Sequence, residues 1–570
     1  MNFLRNFLST FSALVVFSLI LIISLLIIVV PDTDLAEVKE RTVLQINLKK
    51  TIVDRPHSSE FNFFNSAYCG DGLFSIQKAI NQAVNDTSIK AIYLKIGDLK
   101  GSLANVSSLK KNILNFKNTG RKVIVHSDGL SQIGYYLASS ADSIFVDNLS
   151  HVEWKGLGAQ LLYFKSMLDK LGIQAQPIRV GKYKSAIEPF IMDSISPDNE
   201  LQVKEMLDDI WRTICSEVSS LRNIPLAKLD EIADELGYLM PEEALDIGLI
   251  DGVKYEDELR KSFNNLVNGS PNFMSVKSYN STNLKLNEKG KKIVVVNAEG
   301  AIVDSPSETD VSSVKYCKIF DDILKDEKIE AVVLRVNSPG GSALASEKMW
   351  RKLKLIQEKM PSIVSLGNVA ASGGYYIACA GDTILAEKNT ITGSIGVFGL
   401  MFNVSKLKNR IGVNVEKIKT NELSDFPSFD RNLSSKEKNR MKKGIKSVYD
   451  TFIKRVSEGR DLSIEEVHKL SEGRVWTGNQ ALEIGLIDSL GGLEEAINIA
   501  VKAASIKEYN LIYLPKEQTP IEALVKRFSD QTQLSLPAPF SEYNYIIKNP
   551  SYFNSFSKPQ VRLPFVFSIY

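Results

Sequence analysis

Two stretches of the chain, Asp128–Asp142 (DGLSQIGYYLASSAD) and Asn368–Asp382 (NVAASGGYYIACAGD), repeat one phrase, and their spacing decides the architecture. Ile89 opens IKAIYLKIGDLKGS and Ile329 opens IEAVVLRVNSPGGS, 240 positions later; Tyr135 and Tyr375, and Gly172 and Gly412, keep that spacing without a gap. Beyond it the offset shortens to 237, where EALDIGLIDG holds Gly248 and QALEIGLIDS holds Gly485. Upstream it lengthens to 250, between TIVD at Thr51 and AIVD at Ala301. Self-similarity at so long a period marks a duplicated domain. The chain is a tandem duplication.

Each copy alternates short apolar runs with amphipathic ones. KKIVVVNAEG and EAVVLRVN predict strands, and SALASEKMWRKLKLIQEK predicts a helix that begins after paired glycines. Alternation of this kind predicts an α/β fold with mainly parallel pairing. The Asn/Ser/Gly-rich stretch 266–290 reads as a linker. It separates an N-terminal domain over 31–265 from a C-terminal domain over 291–515, and a Pro- and aromatic-rich tail follows over 516–570.

With 570 residues, 44% hydrophobic and 24% charged, the chain has material for more than one core. Its 69 Lys and Arg nearly balance 67 Asp and Glu, which argues against a nucleic-acid partner. Cys69, Cys215, Cys317 and Cys379 are too scattered for CxxC pairs, and His57, His126, His151 and His468 form no HExxH or HxxxH pair, so no metal is expected.

Residues 11–30, FSALVVFSLILIISLLIIVV, carry no charge, and at 1.5 Å per residue they match a hydrocarbon core about 30 Å thick. The run is longer than the apolar part of a cleaved signal and ends in PDTD rather than a small-residue cleavage site, which predicts an uncleaved anchor. Arg5 precedes the run, while Asp32, Asp34 and Glu37 follow it. The positive-inside rule then keeps residues 1–10 in the cytoplasm and puts the bulk of the chain on the outer side.

RVNSPGGS leaves a strand for a helix, and Gly340 and Gly341 allow backbone N–H groups to turn toward a bound carbonyl; a plain strand-to-helix turn uses the same glycines. Ser372 precedes GGYYIACA at a predicted helix start, where a serine is either a nucleophile favoured by the helix dipole or an ordinary N-cap. A serine hydroxyl needs a base. Lysine serves if neutral, and shifting its pKa from about 10.4 to 7 costs roughly 4.6 kcal/mol, within reach of desolvation in a dry cleft.

NSPGGS, AASGGYYIACAGD, ITGSIGVFG, GKYKSAIEPF and the repeated ALxIGLID resemble the signal peptide peptidase A family, over roughly residues 40–500. These are membrane-anchored Ser/Lys peptidases of ClpP/crotonase fold, here in the long, duplicated form. The resemblance implies Ser372 as nucleophile, Lys184 in YKSAIEPF as general base and Ser394 in TGSIG as the serine that orients the lysine. It also implies an oxyanion hole from the backbone N–H groups of Gly340 or Gly341 and of Gly373. Lys182 is a rival base two residues away, on the same face if that segment is extended.

The 240-residue register supports the assignment. Position 132, the counterpart of Ser372, is Gln132, and position 424, the counterpart of Lys184, is Ser424. Each copy lacks the group that the other keeps. The resemblance further implies that no cofactor is needed, that signal peptide remnants and other hydrophobic peptides at the membrane are the substrates, and that the enzyme is an inner-membrane homotetramer with periplasmic catalytic domains. A catalytically silent scaffold and a crotonase-type acyl-CoA enzyme are the competing classes.

Overall fold

The computed structural model describes residues 6–7, 10–14, 16–17, 37–48, 52–55, 71–99, 103–282, 290–307, 309–516 and 559–562. Most of the apolar run 11–30 lies outside them. Among the described residues no helix is long and apolar enough to cross a membrane.

The duplication is visible strand for strand. The first copy builds a parallel sheet in the order Gly252–Val253, Ser143–Val146, Lys122–Ser127, Ile89–Ile96, Thr42–Leu48, Asn272–Ser275. In the second, Ser489–Leu490, Thr383–Ala386, Ser362–Ala371, Ile329–Ser338, Lys292–Glu299 and Asn510–Leu514 run parallel in the same order. Parallel strands joined by helical crossovers are covered on both faces, which is why Ile329–Ser338 is buried at eight of ten positions. The predicted helix after the paired glycines forms as Ala343–Gln357.

The expected linker 266–290 is corrected in part. Asn272–Ser275 pairs with Thr42–Leu48, and the helix Val276–Ser281 buries Val276 and Tyr279 beneath the same sheet. Four residues of strand are too few for a periodic signal, so composition misread them. The tail read over 516–570 also contributes structure, for Gln560–Arg562 is a strand.

The copies share a core. Ile293, Val295, Ala331, Val333 and Ile363 join the cluster built by the first copy, while Val294, Val296, Val332, Leu334 and Val364 join the cluster of the second. The period of two sends alternate side chains to opposite faces, and one face of the second sheet therefore rests on the first copy. Burying each such side chain contributes about 1.5–3 kcal/mol. Through the same contact Arg335 reaches Asp54, Nε to Oδ2 at 2.8 Å and Nη2 to Oδ1 at 3.1 Å, and also donates to Ser365 Oγ, the Leu366 carbonyl and Asn105 Oδ1. Both charged partners are essentially inaccessible, 1% and 0% exposed. Arg335→Leu is expected to lower unfolding free energy by about 3–5 kcal/mol, read from urea midpoints, because Asp54 would stay buried without its counter-charge.

Asn368, which stands where the first copy has Asp128, ties the two copies together. Its Oδ1 accepts the N–H groups of Ala104 and Asn105 at 3.1 and 3.2 Å, capping the first-copy helix Leu103–Lys117 from the second copy.

A third sheet carries the first copy onto the second. Its order is Val311–Ser312, Ile302–Val303, Gly340–Ser342, Gln560–Arg562, Val397–Asn403, Gln174–Val180. Gln174–Val180 belongs to the first copy and lies antiparallel to Val397–Asn403, with Val180 opposite Val397. It delivers the chain, four residues later, to Lys184.

Candidate active site

After Val180 the backbone turns at Gly181, whose φ of 102° and 2.4 Å clearance from an added Cβ to the Glu472 carbonyl admit only glycine. Tyr183 N–H donates to that carbonyl at 3.0 Å. A single 3₁₀ turn, Ser185–Ile187, follows Lys184. Buried polar groups hold the turn. Glu188 accepts from Ser196 Oγ at 2.6 Å and Asn199 Nδ2 at 3.0 Å, Asn199 Oδ1 accepts from Ser185 Oγ at 2.9 Å, and Gln202 Nε2 donates to the Tyr183 carbonyl at 3.1 Å.

The turn puts Lys184 inside the second copy, fully buried. Its Nζ lies 2.7 Å from Ser372 Oγ, 2.8 Å from Ser394 Oγ and 3.0 Å from the Ser394 carbonyl oxygen. Burial alone pushes the amine well below the usual lysine range. In its neutral form, which that shift favours, the amine has two N–H bonds and one lone pair. The Ser394 carbonyl can only accept and takes one N–H; Ser394 Oγ takes the second; the lone pair is left for the Ser372 hydroxyl, which donates to it.

Space around the lysine is set by glycine. A Cβ on Gly473 would fall 2.7 Å from both Cβ and N of Lys184, and one on Gly396 would fall 3.3 Å from Lys184 Cδ. Neither glycine was singled out from sequence. No local pattern could do so, because the crowding comes from a residue more than two hundred positions away.

Ser372 is not an ordinary N-cap. Its side chain makes no capping hydrogen bond to the helix Gly373–Ala378, and its φ of 56° with ψ of −113° is a conformation that costs a side-chain-bearing residue about 1–3 kcal/mol. Hydrogen bonds hold it there, Ser372 N–H to the Gly393 carbonyl at 2.7 Å and Tyr376 N–H to the Ser372 carbonyl at 2.8 Å. In the first copy Ser131 does the capping, accepting from Gly134 N–H at 3.2 Å. Gln132 there binds Lys155 N–H, Gly156 N–H and the Gly156 carbonyl, and plugs the corresponding space.

Gly340 meets Gly373, the residue after Ser372, while Gly341 packs against the backbone of Ile302. Gly340 has φ of 93°, and a Cβ on it would lie 2.7 Å from Gly373 N and 2.1 Å from the Val561 carbonyl oxygen. Gly340 N–H donates to Ser338 Oγ at 3.2 Å, and Gly341 lies between Ile302 and Val561 in the third sheet. Lys182 is excluded from the cluster. It is half exposed, its Nζ 4.0 Å from Glu472, because the segment turns instead of running extended. Ser424 is exposed and donates to the Asn421 carbonyl.

A buried serine touching a buried lysine whose charged form is disfavoured by desolvation, on a duplicated α/β scaffold, is the equipment of a serine hydrolase. The model of peptidase family S49 matches residues 115–269 and 354–507, one segment in each copy, and the chain belongs to that family. Protease 4 of Haemophilus influenzae is 35% identical over 75% of this chain and 72% of its own length. Protease 4 of Salmonella typhi is 31% identical over 93% of this chain and 91% of its own, and the chloroplastic serine protease SPPA of Arabidopsis thaliana is 31% identical over 85% and 73%. Among solved structures, a ClpP1 mutant from Listeria monocytogenes matches 36% of this chain and 94% of its own at 15% identity and a TM-score of 0.23. The chain is a serine protease of the long, duplicated type.

Proposed function

We propose that this chain is a membrane-anchored endopeptidase that degrades signal peptides left in the bilayer after export, using Ser372 as nucleophile and Lys184 as base. The observation that carries the reading is the 2.7 Å approach of Lys184 Nζ to Ser372 Oγ in a fully buried pocket. Ser372 Oγ attacks a peptide carbonyl as its proton passes to Nζ. The oxyanion is received by the N–H groups of Gly373 and of Gly341 or Gly340, the ammonium returns the proton to the leaving amine, and water then clears the acyl group by the same route. Ser394 orients the lysine through two contacts, 2.8 and 3.0 Å long. The same reading places the ClpP/crotonase-like domains on the outer side of the inner membrane, behind an anchor at 11–30, in a homotetramer. The name of an Enterococcus faecium relative, putative signal peptide peptidase SppA, 33% identical over 40% of this chain, supports the substrate class.

The expected test is a phosphonate or β-lactone probe on the purified chain. It should add its mass to the tryptic peptide containing Ser372 and stop cleavage of unstructured hydrophobic peptides; labelling elsewhere, or cleavage that persists after full labelling, overturns the reading.

The chain supplies its own picture of an extended ligand. Gln560–Arg562 lies between Gly340–Ser342, which it pairs antiparallel, and Phe398, and Pro559 O accepts from Ala343 N–H at 3.4 Å. A substrate strand added between the same two edges would put a carbonyl where that of Val561 stands. Ending the chain after residue 558 is therefore expected to lower KM for peptides, about tenfold if the intact tail leaves the cleft open a tenth of the time. An unchanged KM would separate the tail from the substrate cleft.

A further inference from the structure

A cavity of about 470 Å³ opens where the helices Leu103–Lys117 and Pro197–Arg222 of the first copy meet the second copy. Its charged wall is shared, with Lys110, Lys111 and Glu217 from the first copy and Glu387 and Lys388 from the second. Ion pairs cross the joint in both directions. Lys111 Nζ donates to Glu387 Oε1 at 3.0 Å, and Lys388 Nζ donates to Glu217 Oε1 at 3.0 Å. Lys110 Nζ and Tyr136 OH both donate to Glu217 Oε2, at 3.1 and 2.7 Å. The cavity shares no residue with the Ser372 cluster.

The duplication shows why space is left there. At 240 positions, Glu347, Trp350 and Tyr376 are the counterparts of Ser107, Lys110 and Tyr136. The helices Pro197–Arg222 and Ser435–Arg460 have 26 residues each, which makes Arg455 the counterpart of Glu217. In the second copy Arg455 Cζ lies 3.7 Å from the Trp350 ring centroid, and Nη2 reaches Glu347 Oε1 at 2.6 Å. Tyr376 OH donates to Glu347 Oε2 at 2.5 Å. The first copy has a serine in place of that glutamate and a slender lysine chain in place of that indole, and the difference in volume stays open.

The hydrogen-bonding capacity left in the cavity is mostly donor. An ammonium carries three N–H bonds. Lys110 and Lys388 each give one hydrogen bond, both to Glu217, and Lys111 binds Glu387. The carboxylates are better occupied, for Glu217 accepts three bonds and both Glu387 oxygens lie within 3.0 Å of Lys111 Nζ. Glu495 stands 3.9 Å from Lys111 Nζ, beyond hydrogen-bond reach, and does not line the cavity. Leu114, Leu221 and Leu490 add an apolar wall. A ligand that accepts hydrogen bonds at one end and is apolar at the other matches both surfaces. We propose that this cavity binds a small apolar carboxylate, its charged end on the lysine amines and its chain on the three leucines. A short apolar peptide with a free C-terminus and a medium-chain fatty acid share that chemistry. Lys111 and Lys388 come from different copies, so the bound ligand tightens the joint. The site does not rest on the peptidase reading.

The test is calorimetric titration of the full-length Ser372→Ala chain, in which peptide probes stay uncut under the proposed chemistry. The probes are N-acetyl-Leu-Leu, octanoate, N-acetyl-Leu-Leu amide and inorganic phosphate. At least one of the two apolar carboxylates is expected to bind, about tenfold or more tighter than the amide and than phosphate. Binding of the peptide alone assigns the site to a proteolytic product and binding of octanoate alone to a lipid fragment; either supports it. Lys388→Ala removes one amine while Glu217 keeps Lys110, and Ser220→Trp puts an indole into the cavity from an exposed helix position. Each is expected to weaken binding about tenfold or more, with urea midpoints checking that the fold is kept. No binding by either carboxylate, equal binding of the amide or of phosphate, or an affinity unchanged in either variant overturns the site. A peptide held only in the substrate cleft gives that last result. Cleavage by the parent chain is measured separately, so failure here leaves the peptidase reading where it stands.

Discussion

Ser372→Ala is expected to lower kcat/KM on unstructured peptides by about 10⁴-fold or more, with KM moving little. In the proposed cycle the hydroxyl forms the acyl bond, and no group beside it offers a replacement. Lys184 Nζ is held by Ser394 Oγ and the Ser394 carbonyl, Ser394 Oγ faces the lysine, and the first-copy counterpart of Ser372 is Gln132, which carries no hydroxyl. Residual rate would come from the oxyanion donors and peptide binding alone. The fold should survive, because Ser372 makes no capping contact and its backbone hydrogen bonds do not involve the side chain. A variant that cleaves as fast as the parent would mean that hydrolysis happens elsewhere.

Lys184→Met should cost a comparable factor, and it separates the base from the fold through pH. In the parent the lysine pKa is lowered by burial, so between that value and the unfolded value of about 10.4 the unfolded chain holds one proton more than the folded chain. Stability contributed by this group therefore rises with pH across that window and is lowest below it. The Met variant lacks the dependence, so urea midpoints of parent and variant should diverge in the parent's favour as pH goes from 7 toward 10. Activity follows the same titration. The parent's kcat/KM should climb as the amine loses its proton and level off well below pH 10.4. A plateau reached only near 10.4 would mean a solvated, ordinary lysine. Because Lys184 and Ser372 meet within one chain, mixing Ser372→Ala chains with Lys184→Met chains should restore nothing.

What could be read without coordinates is what repeats or alternates along the chain. The duplication, the parallel α/β layering and the helix after Gly340–Gly341 follow from periodicities of 240, two and 3.6 residues, which depend only on neighbours and spacing. The complementary losses at 132 and 424 belong to the same kind of signal, and they pointed to Ser372 and Lys184 as a pair. Folding decided the rest. The positive φ of Ser372, the bare Cα of Gly473 against Lys184, the Asn368 cap on a helix of the other copy and the burial of Arg335 on Asp54 are each imposed by partners far away in sequence. So is the choice of Lys184 over Lys182, which rests on one turn that buries the first and leaves the second in water. Strand and helix patterns are local free-energy preferences. A neutral lysine exists only where packing has removed the water that would keep it charged, and packing is a property of the folded whole.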